Sequence, residues 1–414
     1  MKTYFERYAN PITLFNDPPA NSLKISIVIP CYNEPDIISS LVSLNNCKPV
    51  VGVEVIVIVN EEETCNDEVK QQNRITLAQI ETWKNKTSLN YSLLTYHLIA
   101  SARDAGVGFA RKVGMDEAAR RFERANCDNG VICCFDADST CAANYIESVS
   151  RHFPINSPKP NGATVYYEHS LPDDNSLKEG IIQYELHLRY YVNALRLIGY
   201  PYAHQTVGSS MIVRSGIYQK IGGMNKRKAG EDFYFLHRVM PTGNFIDIKD
   251  TVIYPSARIS DRVPFGTGKA MHKWQQENST DYLTYNLLSF QDLKNLFIKS
   301  ESFFELKLNE VEEQVNKLPV SIRSYLKNNE FDKALMRINS HSKNRATFIN
   351  KWYQYFDGFR VLKYLHYARD NYYENKPVLG QAAALAQLRW PTETTKYVTA
   401  ADWLSFYQHK DKEA

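Results

Sequence analysis

The chain has 414 residues, and Lys+Arg 49 against Asp+Glu 46 gives a formal net charge of +3. Hydrophobic residues at 43% and charged residues at 23% exclude a disordered chain, and the near-neutral balance excludes a dedicated nucleic-acid binder. The length exceeds what one ordinary core organises, so two domains are expected.

In chain order, Lys24–Pro30 (KISIVIP) is a β-rich apolar run, and Pro35–Leu44 a helix. Glu54–Val59 (EVIVIV) is a second strand, Asp67–Asn85 a polar helix, and Leu93–Ile99 a third strand. Gly108–Ala125 is a third helix and Gly130–Phe135 (GVICCF) a fourth strand. Repeated β-α-β units with uninterrupted apolar strands predict an α/β fold, a mostly parallel, Rossmann-like sheet flanked by helices. In such sheets the ligand crevice lies at the carboxyl ends of the strands.

Composition changes near residue 277. Of 18 glycines only Gly358 and Gly380 lie beyond it, and all seven cysteines lie before it. Residues 1–277 are therefore expected to form the α/β domain, and 278–414 an all-helical C-terminal domain. Helices are predicted at Thr280–Ser300, Phe303–Lys317, Val320–Asn328, Asp332–Ser340, Lys343–Tyr373 and Gly380–Leu388. Phe348, Trp352, Tyr355, Phe356 and Phe359 recur at helical spacing and read as helix–helix core. Gln387–Trp390 reads as a helix end before Pro391.

No apolar run approaches the roughly 18 residues of a membrane span. Met1–Lys24 carries charges and prolines but no apolar signal core, which predicts a cytoplasmic protein, with peripheral contact at the inner membrane face left open. The cysteines show no C-x-x-C spacing and read as free thiols.

The chemistry-bearing residues follow strand ends. Asp136 and Asp138 come directly after the fourth strand. Two carboxylates two residues apart can face one crevice, and hard Mg²⁺ or Mn²⁺ prefers such oxygen ligands with substrate phosphates. A turn capped by Asp138 or Ser139 is the alternative. Pro30-Cys31-Tyr32-Asn33-Glu34 ends the first strand. Gly106-Val107-Gly108-Phe109-Ala110-Arg111 precedes the acid turn. Gly208-Ser209-Ser210, Ile221-Gly222-Gly223-Met224 and Gly230-Glu231-Asp232-Phe233 follow it.

In this order the motifs, over Ser26–Ile253, resemble family-2 glycosyltransferases of the GT-A fold. The resemblance implies a nucleoside-diphosphate sugar donor held by Pro30, Tyr32, Glu34 and Arg111; Asn60, with both a donor and an acceptor, can pair with a base edge. It implies Asp136 and Asp138 as the ribose- and metal-binding pair, with Mn²⁺ or Mg²⁺. It implies Asp232, beside Glu231, as the general base, because a sugar hydroxyl is a poor nucleophile without proton removal. Acids at a helix start are the structural reading of Glu231-Asp232, and both can hold. The acceptor is expected to be a saccharide or glycolipid, and attack direct and inverting; a retaining outcome stays open. Two features depart from the family: Asn60-Glu61 replaces aspartates at the second strand end, and Arg111-Lys112 replaces Arg-Asn.

Arg258–Trp274 combines glycines with Arg258, Arg262, Lys269, His272 and Lys273. Arginine forks there can grip a diphosphate. The resemblance further implies a histidine after the base that completes the metal shell, and His272 is the candidate. Two other readings remain at this point. One is a nucleotidyltransferase making nucleotide sugars; the other is a non-catalytic protein that binds sugar or nucleotide.

Overall fold

The computed structural model describes residues 2–260, 265–277, 279–394 and 397–413. The first elements are α1 (Lys2–Arg7), β1 (Leu23–Cys31), α2 (Ile37–Asn45), β2 (Gly52–Glu62), α3 (Asp67–Lys86), β3 (Ser92–Ala100) and α4 (Val107–Arg124). Then come β4 (Val131–Cys134), β5 (Thr140–Cys141), α5 (Tyr145–His152), β6 (Gly162–Tyr167), α6 (Asn175–Leu197), β7 (Met211–Arg214) and α7 (Ser215–Lys220). They are followed by α8 (Glu231–Val239), β8 (Phe245–Tyr254), α9 (Thr267–Gln276), β9 (Leu283–Thr284) and α10 (Leu287–Ile298). The last are α11 (Leu308–Asn316), α12 (Val320–Asn328), α13 (Phe331–Ser340), α14 (Arg345–Tyr355), α15 (Gly358–Asn371), β10 (Lys376–Pro377), α16 (Val378–Arg389) and α17 (Ala400–Glu413).

The chain divides into two compact units. One comprises Met1–Pro172, Thr206–His272 and Asp411–Ala414, the other Asp173–Gln205 and Lys273–Lys410. The first unit is built on a sheet ordered β3-β2-β1-β4-β7-β6-β8-β5 among the described residues. β1 runs parallel to β2 and β4, and β2 parallel to β3. β7 enters antiparallel between β4 and β6, while β6 and β8 are again parallel. Every residue of β1 and β4 is buried, which is why β4 reads as a continuous apolar run and β1 as one broken only by Lys24 and Ser26.

A charged residue, Glu54, stands within the apolar run at the start of β2. Glu54 is fully buried because Arg121 of α4 reaches it with Nε to Oε2 at 2.6 Å and Nη2 to Oε1 at 2.7 Å. The Ala20 backbone N–H adds a bond of 2.7 Å to the same carboxylate. Other charges on α4 also read backbone. Asp116 accepts from Asn10 N, Glu117 from Leu14 N, and Arg124 donates to the carbonyls of Phe15, Asn16 and Asp17. The segment before β1 thus gains partners for backbone groups that no sheet supplies.

The second unit is helical and takes in α6 from the middle of the sequence. Its core includes Leu186, Tyr190, Phe290, Leu293, Trp352, Leu365 and Leu385. Phe348, Trp352 and Phe356 are buried within it, as their helical spacing predicts. The predicted Lys343–Tyr373 helix is two helices. α14 stops at Tyr355, with Phe356 as its C-cap, and Asp357 then caps α15 by accepting from Arg360 N at 2.8 Å. The predicted Thr280–Ser300 helix begins only at Leu287, where Asn286 caps α10, and Leu283–Thr284 is a short strand.

Candidate active site

The turn after β4 is held at both ends. Phe135 N donates to Val28 O at 3.0 Å, and Ser139 N to Asp136 O at 3.1 Å. Ser40 of α2 donates to the carbonyl between the acids, Ala137 O, at 2.8 Å. Phe135, Ala137 and Ser139 are buried, whereas the Asp136 and Asp138 side chains keep 32% and 27% of their surface. The extended turn therefore alternates, and both carboxylates reach the accessible side. Ser139 is followed by β5 rather than by a helix, so the turn does not serve as the cap of one.

Arg111, one turn into α4, is the hub of the site. The residue is 2% exposed, and its guanidinium makes three attachments. Nε donates to Glu231 Oε1 at 3.0 Å, Nη1 to Gly208 O at 3.0 Å, and Nη2 to Asp136 Oδ1. The arginine expected near the nucleotide thus ties the acid turn to the start of α8. Gly208 is required there, because a Cβ would lie 2.7 Å from Arg111 Nη2 and 3.3 Å from Asp232 Oδ2. α8 itself starts where Gly230 takes φ 66°, a left-handed conformation that glycine adopts without strain. Glu231 and Asp232 then occupy its first turn, where the helix dipole favours acids.

Burial dominates the electrostatics of this pair. It pushes the Glu231 carboxyl up to about 7; the neighbouring Asp232 charge adds to that shift, and Arg111 opposes it. Burial also raises Asp232, with Arg111 again opposing. A carboxylate whose proton affinity is raised toward neutrality suits proton abstraction.

A second arginine joins the other side of the site. Arg258 spans Glu34 with Nη1 on Oε1 at 2.8 Å and Nη2 on Oε2, and its Nη2 also lies 3.0 Å from Asp138 Oδ2. Glu34 is fully buried, and its backbone carbonyl accepts from Thr76 Oγ1 at 2.7 Å. Asn33, at φ 48°, donates its N–H to Asn73 Oδ1 at 3.0 Å. Asn73, buried on α3, also reaches Asn60 O and Glu61 Oε2, and His97 lies 3.2 Å from the same Glu61 oxygen. Pro30 is buried at the end of β1, Tyr32 is half-buried just beyond, and Asn60 is buried in β2. These loops converge at the carboxyl ends of β1, β2 and β4.

Asp136 and Asp138 offer hard oxygen donors on partly accessible side chains, a donor type that Mg²⁺ or Mn²⁺ accepts. Among the described residues, no group of three or more His, Cys, Asp or Glu side chains is arranged to hold a metal. The chain would thus supply two carboxylates, with water and phosphate oxygens completing the shell. His272 is half-buried in α9 and belongs to no such group. Arg262 lies outside the described residues.

Sequence reasoning passed over Asn73, which sits in a polar helix without a motif of its own, and named Glu61 only as a departure at a strand end. The segment before α8 was also missed. Gly108 is needed because a Cβ there would lie 2.2 Å from Arg227 O, so the loop packs directly on the start of α4.

No protein-family model matches the chain. No curated protein sequence matches it either. Among solved structures it is similar to S. aureus TarS in complex with UDP, at 15% identity, covering 80% of this chain and 91% of that one, TM-score 0.39. It is similar to the mannosyltransferase PcManGT from Pyrobaculum calidifontis in complex with GDP-Man and Mn²⁺, at 12% identity, covering 100% and 92%, TM-score 0.36. A third is glucosyl-3-phosphoglycerate synthase from Mycobacterium tuberculosis, in complex with Mn²⁺, UDP and glucosyl-3-phosphoglycerate, at 12% identity, covering 66% and 80%, TM-score 0.35.

Proposed function

We propose that this chain is a divalent-metal-dependent glycosyltransferase that moves a sugar from a nucleoside-diphosphate sugar to an acceptor hydroxyl with inversion. The observation that carries the reading is Arg111, which fixes Asp136 of the acid turn and Glu231 beside Asp232 around one buried guanidinium. A donor site and a base must be held at a set separation for in-line displacement, and this clamp holds them.

In this reading the loops bearing Pro30, Tyr32, Glu34 and Asn60 cradle the nucleoside. Asp136 and Asp138 face the diphosphate, and a bound Mn²⁺ or Mg²⁺ would offset charge on the leaving diphosphate. Arg258 and Arg262 supply further positive charge there. Asp232 takes the proton of the acceptor hydroxyl as the glycosidic bond forms, and Arg111 limits how far Asp232 is raised. The acceptor is a saccharide or glycolipid. Among the described residues no helix is long and apolar enough to cross a membrane, and we place the protein in the cytoplasm with access to the membrane surface.

A thermal-shift screen of nucleoside diphosphates, with and without Mn²⁺, tests the reading. A ligand bound to the native state alone adds about 2.7 kcal/mol at a hundredfold excess over its Kd. At least one nucleotide should raise the melting temperature by several degrees, more so with Mn²⁺. If no nucleoside diphosphate shifts it in either condition, the proposal fails.

A further inference from the structure

The loop leading into α8 carries Lys226-Arg227-Lys228, and all three are exposed. Each cation is fastened at a defined place. Lys226 Nζ lies 3.2 Å from Asp104 Oδ2 and 4.7 Å from the Phe109 ring centre. The Arg227 guanidinium stacks 3.7 Å above the Tyr234 ring. Lys228 Nζ donates to Ala102 O at 2.7 Å. The loop backbone is pinned as well, by the close approach of Arg227 O to Gly108 and by Asn225, whose Nδ2 donates to Glu231 O at 3.0 Å. Arg103, exposed on the adjoining turn after β3, adds a fourth cation.

This track is not a random solvated face. Four cations meet one acid, Asp104, on two segments that both end beside the site: 101–106 runs into α4 and Arg111, and 225–230 runs into Glu231 and Asp232. Side chains already fastened lose little freedom when an anion docks, which favours recognition over diffuse attraction. The exposed charges are fixed while the ends of Lys226 and Lys228 keep donors to spare, since an ammonium has three. Large apolar side chains are not exposed at 101–109 or 225–230, as an interfacial membrane anchor would need.

We infer that Arg103 and Lys226–Lys228 form the recognition surface for a phosphate-bearing acceptor chain, which runs across the two segments and presents a hydroxyl to Asp232. The surface itself stands on the geometry above; calling its ligand the acceptor rests on the glycosyl-transfer reading. Guanidinium and ammonium groups on separate backbone segments can grip successive phosphates along a chain, and Arg227 can take one in a bidentate fork.

The test uses the full chain and fluorescently labelled long-chain inorganic polyphosphate, followed by polarisation over a range of salt. The wild type should bind, with affinity falling steeply as salt rises. The triple variant K226E/R227E/K228E should bind at least about tenfold more weakly. Arg103→Glu, which disturbs none of the packed loop contacts, should weaken binding about threefold and keeps the test informative if the triple variant does not fold. Equal binding by wild type and Arg103→Glu, or no binding by the wild type, overturns the surface. Tighter binding to anionic vesicles or to a single-stranded oligonucleotide of matched charge than to polyphosphate overturns the assignment of ligand. Loss of nucleoside-diphosphate stabilisation in the wild type overturns the transfer reading alone, because the polyphosphate result is read independently of it.

Discussion

Replacing Arg111, a residue 2% exposed, by methionine removes a guanidinium that serves two carboxylates and one carbonyl. Methionine has similar reach and no charge, so packing is largely kept while Glu231 loses its counter-charge. Breaking a buried ion pair by removing one partner costs about 3–5 kcal/mol. The cost should depend on pH in a defined direction. The Glu231 carboxyl is raised to about 7 in the folded chain, so folding favours its protonated form. Its contribution to stability is fully present below the ordinary glutamate range and is lost as pH rises through about 7. Arg111 lowers that value, so its removal raises it further and extends the loss to higher pH. As pH rises from 7 to 8 the wild type, half-titrated at about 7, loses the rest of its Glu231 proton, while the further-raised carboxyl of the variant keeps more of its own. The stability difference should therefore grow across that window, by at most about 1.4 kcal/mol per pH unit. Urea unfolding of both proteins at pH 5.5, 7 and 8 measures this. A difference that is constant across those three values would refute the view that Arg111 acts as the counter-charge of Glu231.

Three further outcomes are expected. Glu54→Ala leaves Arg121 buried without its carboxylate and should cost about 3–5 kcal/mol in chemical unfolding; a loss under 1 kcal/mol would contradict the role given to this pair. Gly208→Ala places a Cβ 2.7 Å from Arg111 Nη2 and near Asp232, so transfer should fall about tenfold or more while nucleotide stabilisation persists. Asp138→Asn should weaken the Mn²⁺ dependence of nucleoside-diphosphate stabilisation while metal-free binding is retained; an unchanged Mn²⁺ response would remove Asp138 from the metal site.

The strands of the parallel half were legible because burial on both faces leaves a largely apolar run, unbroken in β4 and interrupted only by Lys24 and Ser26 in β1. That Asp136 and Asp138 share one face was legible from their spacing, because an extended turn has period two; the burial of Phe135, Ala137 and Ser139 between and beside them came from the structure. What joins these pieces was not legible. Arg111 and Glu231 are 120 residues apart, and Arg258 and Glu34 are 224 apart, so only the folded sheet brings them together. Glu54 looked like an interruption of β2 until Arg121 supplied the partner that makes it tolerable there. The break between α14 and α15 was carried by Asp357-Gly358, a cap signal that the aromatic periodicity on either side concealed. α6 gave no indication in sequence of the unit it packs into, since amphipathic spacing names a face and not a partner.

The central claim is that Asp232 removes a proton from the attacking hydroxyl at a nucleotide-sugar site. It is tested most directly by nucleoside-diphosphate release from a nucleoside-diphosphate sugar, with wild type and Asp232→Asn compared in Mn²⁺. The sugar nucleotide is the one whose diphosphate stabilises the wild type. The account predicts metal-dependent release by the wild type and a loss of about a hundredfold or more in Asp232→Asn, with nucleotide stabilisation intact. Unchanged release by Asp232→Asn would contradict it.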